Sequence, residues 1–179
     1  VSGSSKLTKI TDGAVAFDAS GDHLAVSSST DFAFGTGDFT IECYAYLKGY
    51  SNGPYLFDFR DSGSDTGTTN RVVMYVDSSA GTVRFWLNGS ARITDSQVRA
   101  NSWNHYALVR SGSTTTLYVN GISQGTYSDS TNYSGAPVVI GQRQGTASQS
   151  WNGFISNARI LKGTALYTSN FTPPTAPLT

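Results

Sequence analysis

Glutamate is nearly absent from these 179 residues: Glu42 is the single one, and the other eleven acids are all Asp. Cleaving a glycosidic bond normally takes two carboxyl groups flanking it, one protonated and one ionised. Glu42 would need an Asp as its partner. Yet most of the Asp residues stand in turn-like strings such as Thr11-Asp12-Gly13, Ala19-Ser20-Gly21-Asp22 and Arg60-Asp61-Ser62-Gly63, where the side chain commonly hydrogen-bonds its own backbone. Charge is scarce as well. Twelve basic and twelve acidic groups cancel, and 13% of residues are charged, which removes the electrostatic drive that phosphate binding requires, so no nucleic acid partner is expected. One cysteine, Cys43, excludes an internal disulfide and leaves the redox compartment open. Its alternation with Ile41, Ala45 and Leu47 predicts a buried, inert thiol. No stretch approaches the roughly 20 apolar residues of a membrane span, and the start lacks the basic-then-apolar pattern of a signal peptide. Helical spacing is missing from every window of a dozen residues.

What is present is Ser, Thr, Asn and Gly, with ten Tyr, nine Phe and three Trp. Period-two alternation recurs throughout. Phe39, Ile41, Cys43, Ala45 and Leu47 form one face of a strand whose other face carries Thr40, Glu42, Tyr44 and Tyr46; Val83, Phe85 and Leu87 likewise oppose Thr82, Arg84 and Trp86. Further strands are predicted at 14–18, 23–26, 54–59, 71–77, 103–110, 115–120, 138–142 and 154–161. Turn signals separate them: Asn52-Gly53, Ala80-Gly81, Asn88-Gly89, Ser111-Gly112, Asn120-Gly121 and Asn152-Gly153. Asn-Gly supplies the two positive-φ positions of a type I′ hairpin turn. About ten short strands of uneven spacing predict an all-β fold, a two-sheet antiparallel jelly-roll sandwich. Loops at 61–70, 126–136 and 143–150 are long enough to carry binding residues. The expected organisation is one domain over 1–172 and a stiff Pro-rich tail over 173–179 that links to a neighbouring module of the same parent protein.

Several strings carry a family resemblance. Val15-Ala16-Phe17-Asp18-Ala19-Ser20-Gly21-Asp22-His23-Leu24, Gly37-Asp38-Phe39-Thr40-Ile41-Glu42 and Trp103-Asn104-His105-Tyr106-Ala107-Leu108-Val109-Arg110 are followed by Leu117-Tyr118-Val119-Asn120-Gly121, Val139-Ile140-Gly141 and Trp151-Asn152-Gly153-Phe154-Ile155-Ser156-Asn157-Ala158-Arg159-Ile160. In this order they resemble the laminin-G-like, concanavalin A-like lectin/glucanase superfamily. The ending, Lys162 to Pro174, is similar to modules of this type in bacteriophage structural proteins and marine bacterial surface proteins. The resemblance implies an antiparallel sandwich, glycan or protein binding in many members, often a calcium ion, and a virion or cell-surface location. It does not imply catalysis: glucanase branches carry carboxylates at alternating strand positions, whereas the same-face neighbours of Glu42 are Thr40 and Tyr44. Similar modules read Ile-Asp-Asp or Ile-Asp-Glu where this chain has Ser156 and Asn157.

Two candidate sites follow. Asp18 and Asp22 flank the turn where similar modules place an acidic residue near calcium; the two readings are a calcium site weakened by the loss of two carboxylates or a pair of turn acceptors. Tyr44, Tyr46, Tyr75, Arg84 and Trp86 lie opposite their strands' apolar runs. If those strands are neighbours in one sheet, they form a solvent-facing aromatic surface for sugar rings; if rim segments fold over the sheet, they form a second, minor core. Arg60 and Arg143, the latter with Gln142, Gln144 and Gln149, are candidate ligand contacts at the loops. Trp103 and Trp151 are expected to be packing residues. His23 and His105 offer no metal-ligand spacing, and no Gly-x-Ser-x-Gly elbow is present. The expected function is a non-catalytic recognition module that binds carbohydrate; an assembly module binding protein neighbours in a capsid or fibre is the alternative, and a glycoside hydrolase a remote one.

Overall fold

The computed structural model describes residues 13–61 and 69–178, and among them the chain is nearly all strand. In chain order the strands are β1 (Val15–Asp18), β2 (Leu24–Ser29), β3 (Phe39–Leu47), β4 (Tyr55–Asp58), β5 (Val73–Val76), β6 (Thr82–Leu87), β7 (Ser90–Val98), β8 (Trp103–Ser111), β9 (Thr114–Val119), β10 (Ile122–Ser128), β11 (Ala136–Ile140), β12 (Gln142–Arg143), β13 (Thr146–Ser150) and β14 (Asn152–Lys162). One turn of 3-10 helix at Thr30–Phe32 follows β2. Two six-stranded antiparallel sheets form, ordered β1-β14-β3-β8-β9-β10 and β2-β11-β4-β5-β6-β7, with β12 and β13 as a separate hairpin. This is the expected jelly-roll sandwich.

The alternation seen in the sequence decides the core. Phe39, Ile41, Cys43 and Leu47 of β3 face Leu56, Phe57, Met74, Val83, Phe85 and Leu87 of the second sheet, all fully buried. Each such side chain contributes about 1.5–3 kcal/mol by leaving water. Cys43 sits within this layer, and burial first, then the nearby Glu42 charge, pushes its thiol well above the ordinary range. Trp151 is also fully buried and donates its indole N–H to the Tyr46 carbonyl at 3.1 Å. Its expected packing role is met.

Hairpins at Asn88-Gly89 and Asn120-Gly121 place both turn residues at positive φ, between the register pairs Leu87–Ser90 and Val119–Ile122. Asn152-Gly153 behaves otherwise. It opens β14 rather than turning, and Gly153 is required there because a Cβ would lie 2.0 Å from the Tyr46 carbonyl oxygen. Strands β7, β10 and β13 were not legible from alternation. The first two are the edges of their sheets, where exposed polar side chains interrupt the pattern. The stretch 126–136, expected to be a binding loop, is instead packed: Asp129 is buried and accepts from the hydroxyls of Thr115 (2.6 Å) and Tyr133 (2.8 Å) and from the Thr131 N–H, while Arg110 donates to the carbonyls of Thr131 and Asp129.

The outer face of the first sheet is closed by the chain itself. Residues after β14 run back across β3, β8 and β9 and lay Ala165, Tyr167 and Phe171 on Ala107, Val109 and Tyr118. Tyr167 and Phe171 stack with centroids 3.6 Å apart, and His105 meets both edge-on. Backbone ties hold the segment: Thr40 donates its hydroxyl to Thr164 and accepts from the Leu166 N–H, and Phe171 donates its N–H to Gly121. Further along, Tyr44 donates to the Pro174 carbonyl.

Beneath this strap lies Glu42, 0% exposed. Its Oε1 accepts from Arg159 Nη2 at 2.6 Å and Nε at 2.9 Å, and its Oε2 accepts from His105 Nε2 at 2.9 Å and the Tyr167 hydroxyl at 3.0 Å. Arg159 reaches it because a bulge between Ser156 and Arg159, with Asn157 at φ 49°, resets the β14 register. Burial pushes the carboxyl upward, but the hydrogen bonds from His105 and Arg159 and the Arg159 charge outweigh it, so the net shift is downward. Burial together with the Glu42 charge pushes the hydroxyls of Tyr44 and Tyr167 up to about 12.

A carboxyl depressed on folding contributes stability above its unfolded value, about 4.3, and loses it as pH falls through the folded value. Chemical denaturation should therefore give a flat midpoint from pH 7 to about pH 5 and a falling one below. Glu42→Gln, which leaves Arg159 and His105 facing a neutral amide, is expected to cost about 3–5 kcal/mol at pH 7 and to flatten the acid limb. A variant within 1 kcal/mol of the parent, a margin typical of exposed pairs, would contradict this account of the strap.

Candidate functional site

The sandwich has a second outer face, and it is built differently. On β4 the string Tyr55-Leu56-Phe57-Asp58-Phe59-Arg60 contains an irregularity between Tyr55 and Phe57, so Leu56, Phe57 and Phe59 all enter the core while Tyr55, Asp58 and Arg60 turn outward. Cross-strand register carries this face over the sheet: Tyr55 pairs with Tyr75 and Tyr75 with Arg84, while Asp58 pairs with Val73 and Val73 with Trp86.

The lower layer of this face is sealed. Asp58 and Arg60 are buried and joined in a two-pronged ion pair, Nε to Oδ1 at 2.9 Å and Nη2 to Oδ2 at 2.7 Å. Asp58 also accepts from the Arg60 N–H at 3.0 Å and from the Gln144 N–H at 3.0 Å, which docks the β12–β13 hairpin against β4. The Arg60 guanidinium lies 5.3 Å from the Tyr55 ring centroid and 5.7 Å from that of Trp86. Geometry of this kind suits cation–π attraction.

Above that layer stand the half-buried groups. Tyr75 stacks on Tyr55 with centroids 5.3 Å apart and an interplanar angle of 24°. Arg84 pairs with Asp77 at 2.9 Å and leaves its Nε–H without a partner among the described residues. Arg143 donates to the Gln149 side-chain oxygen at 2.7 Å and places its guanidinium 6.0 Å from the Tyr55 ring. Gln149 reaches the Gly53 carbonyl, and Asn52 donates to the carbonyls of Ser148 and Ser150. The result is a platform of Tyr75 and Trp86 flanked by Arg84 and Arg143, all held from beneath and from one side.

The seven residues expected to contact ligand are thus divided. Tyr75, Arg84, Trp86, Arg60 and Arg143 share the second sheet's outer face, with Arg60 as buried support rather than open surface. Tyr44 and Tyr46 are not with them, because β3 belongs to the other sheet. Tyr44 lies buried under the strap, which realises the minor-core alternative on that side; Tyr46 stays half-exposed next to Trp103 and Phe154. Trp103, expected to be a plug, is itself half-exposed. Tyr55 and Asp58 are site-forming residues that alternation missed; the signal that could have found Asp58 is its spacing of two from Arg60, which suits a charged pair sharing a face. The candidate loop 61–70 lies, for residues 62–68, outside the described residues; at its ends Asp61 pairs with Arg71 and Asn70 with Asn88.

At the turn after β1, Asp18 accepts from the Ser20 N–H at 2.8 Å and Asp22 from the Asp18 N–H at 3.2 Å. Ser156 spends its hydroxyl on the Gly13 carbonyl. No cluster of three or more His, Cys, Asp or Glu side chains suited to a metal occurs among the described residues. Two carboxylates already accepting amide protons make a donor set that fits a turn and falls short of a charge-rich calcium cage.

With this geometry in view, comparison with known proteins is informative. A family profile described as the concanavalin A-like lectin/glucanases superfamily matches residues 18–167, and the chain belongs to that family. No curated protein matches it. Among solved structures it is similar to a heptameric SAP-like pentraxin from Limulus polyphemus (23% identity over 83% of this chain and 73% of the other, TM-score 0.59). It is also similar to domains LG4-5 of the mouse laminin α1 chain (16%, 94% and 48%, TM-score 0.61). A third is domain 4 of an extracellular arabinanase from Geobacillus stearothermophilus, solved with arabinotriose (14%, 85% and 71%, TM-score 0.61). At these identities the likeness is one of fold. The chain spans about half the length of the laminin fragment.

Asp18→Ala is expected to remove a turn acceptor worth about 1 kcal/mol and lower Tm by about 2–4 °C, equally with calcium and with chelator, as scanning calorimetry would record. A calcium-dependent rise in the parent Tm that the substitution abolishes would assign the ion to this turn instead.

Proposed function

We propose, from this family membership, that the chain is a non-catalytic module that recognises carbohydrate through the outer face of its second sheet. One observation carries the reading: Tyr75 and Trp86, half-exposed on adjacent strands, are fixed over the buried Tyr55, Arg60 and Asp58 and flanked by the Arg84 and Arg143 guanidinium groups. Sugar rings present C–H faces that stack on aromatic rings while their hydroxyls seek polar neighbours. A rigid platform loses little freedom when it binds. The arabinotriose held by the arabinanase domain supports the substrate class. Support for a non-catalytic role comes from Glu42, whose carboxylate is enclosed beneath Tyr167 and saturated with donors. The proposed setting is a virion or cell surface, where a glycan-bearing target is met and other modules of the parent protein are neighbours.

The assembly reading draws on a separate observation. Val15 and Leu24, exposed on β1 and β2, border a cleft of about 310 Å³ with Ile155 and Ala158. Protein partners seated there would make the module a structural one, and concentration-dependent sedimentation would reveal self-association through it.

A glycan array read with calcium and with chelator is expected to give hits in both. For the best ligand, Trp86→Ala and Tyr75→Ala should each weaken binding about tenfold in titration calorimetry, with no release of reducing sugar. No hit in either buffer, or full affinity in both variants, contradicts the proposal.

A further inference from the structure

A second aromatic group stands on the opposite side of the molecule. Trp103 of β8 pairs in register with Tyr46 of β3, and Tyr46 with Phe154 of β14, so three aromatic side chains leave the outer face of the first sheet side by side and gather into one cluster. Tyr46 lies 5.9 Å from Trp103 and 6.1 Å from Phe154, and Trp103 and Phe154 are near parallel, 26° apart in plane. All three are half-buried and none enters the core. Trp103 and Phe154 have ring centroids 6.3 Å apart, closer than two strand spacings of about 4.8 Å, so the three rings converge into a compact triangle.

Its surroundings argue against a core in waiting. The next row on one side, Tyr44 and His105, is covered by the strap, whose Pro174 carbonyl accepts from the Tyr44 hydroxyl. On the other side the face turns polar within one residue pair: Lys48, whose ammonium lies 4.8 Å from the Phe154 ring centroid, then Asn152 beside Asp18, and Asn101. A cluster of three rings, bordered by an ammonium, amides and a carboxylate, lacks the broad apolar area that a protein partner needs. Rings flanked by hydrogen-bonding groups match the alternating C–H and O–H surface of a sugar chain.

We propose that Tyr46, Trp103 and Phe154, with Lys48 and Asn152 at the edge, form a second carbohydrate-stacking site, so that one copy of the module holds two glycan chains. The chemical class rests on the reading given under Proposed function; the location does not. Because the two platforms face away from each other across the sandwich, a short oligosaccharide reaches one or the other, and a long polysaccharide is bridged between copies.

The three tryptophans separate the possibilities without any substitution: Trp86 lies on the first platform, Trp103 on the second, and Trp151 in the core. Indole N–H signals in ¹H–¹⁵N spectra would be followed while cellohexaose, laminarihexaose and arabinohexaose are added in turn. Shifts of both Trp86 and Trp103, with Trp151 still, are expected for at least one probe, with a calorimetric stoichiometry of two falling to one in Trp103→Ala. Movement of Trp86 alone overturns the second site and leaves the first. Movement of Trp103 alone upholds the second and removes the first. If neither moves with any probe, the second site is rejected together with the first.

Discussion

A single buried carboxylate organises half of this molecule. An ionised group out of water is tolerated only when donors replace its hydration, and Glu42 has four within 3.0 Å from three residues on three separate parts of the chain. His105 comes from the neighbouring strand, Arg159 from β14 by way of a bulge, and Tyr167 from beyond the last strand. Each has to be in place for the charge to stay buried. The strap after β14 is therefore bound to the sheet by a polar demand as well as by the packing of Tyr167 and Phe171.

That demand makes the two outer faces unlike. The first sheet is roofed by the strap over Glu42, Tyr44, Ala107, Val109 and Tyr118, and a cluster of half-buried rings stands beside it. On the second sheet a buried carboxylate also collects donors, but here Asp58 is satisfied by Arg60, two residues further along the chain, and by a backbone N–H of the adjacent hairpin. Among the described residues no segment is drawn across, and Tyr75 and Trp86 stay half-exposed above Arg60. The same kind of interaction closes one face and furnishes the other.

Much of this was legible before any coordinates. Alternation in β3 and β6 marked which residues enter the core, and Asn-Gly pairs marked two hairpin turns because that dipeptide accepts positive φ at both positions. Of the four edge strands, β1 and β2 are legible and β7 and β10 are not, since exposed polar side chains interrupt the alternation of the latter two. Trp103 was misjudged because large aromatics are most often core. The division of Tyr44 and Tyr46 from Tyr75 and Trp86 could not be seen at all: alternation assigns a residue to the outer side of its strand and is silent on the sheet to which that strand belongs.

Side-chain period and turn chemistry are local properties, set by backbone geometry over two to four residues, and for that reason the sequence by itself determined an all-β sandwich with a shared apolar interior and polar or aromatic exteriors. Sheet membership, the route of the strap and the partners of Glu42 and Asp58 depend on residues far apart in the chain, 125 positions for Glu42 and Tyr167 and 130 for Tyr44 and Pro174. Those were decided only in the tertiary structure, where buried charges had to find donors and whichever strands could bring them became neighbours.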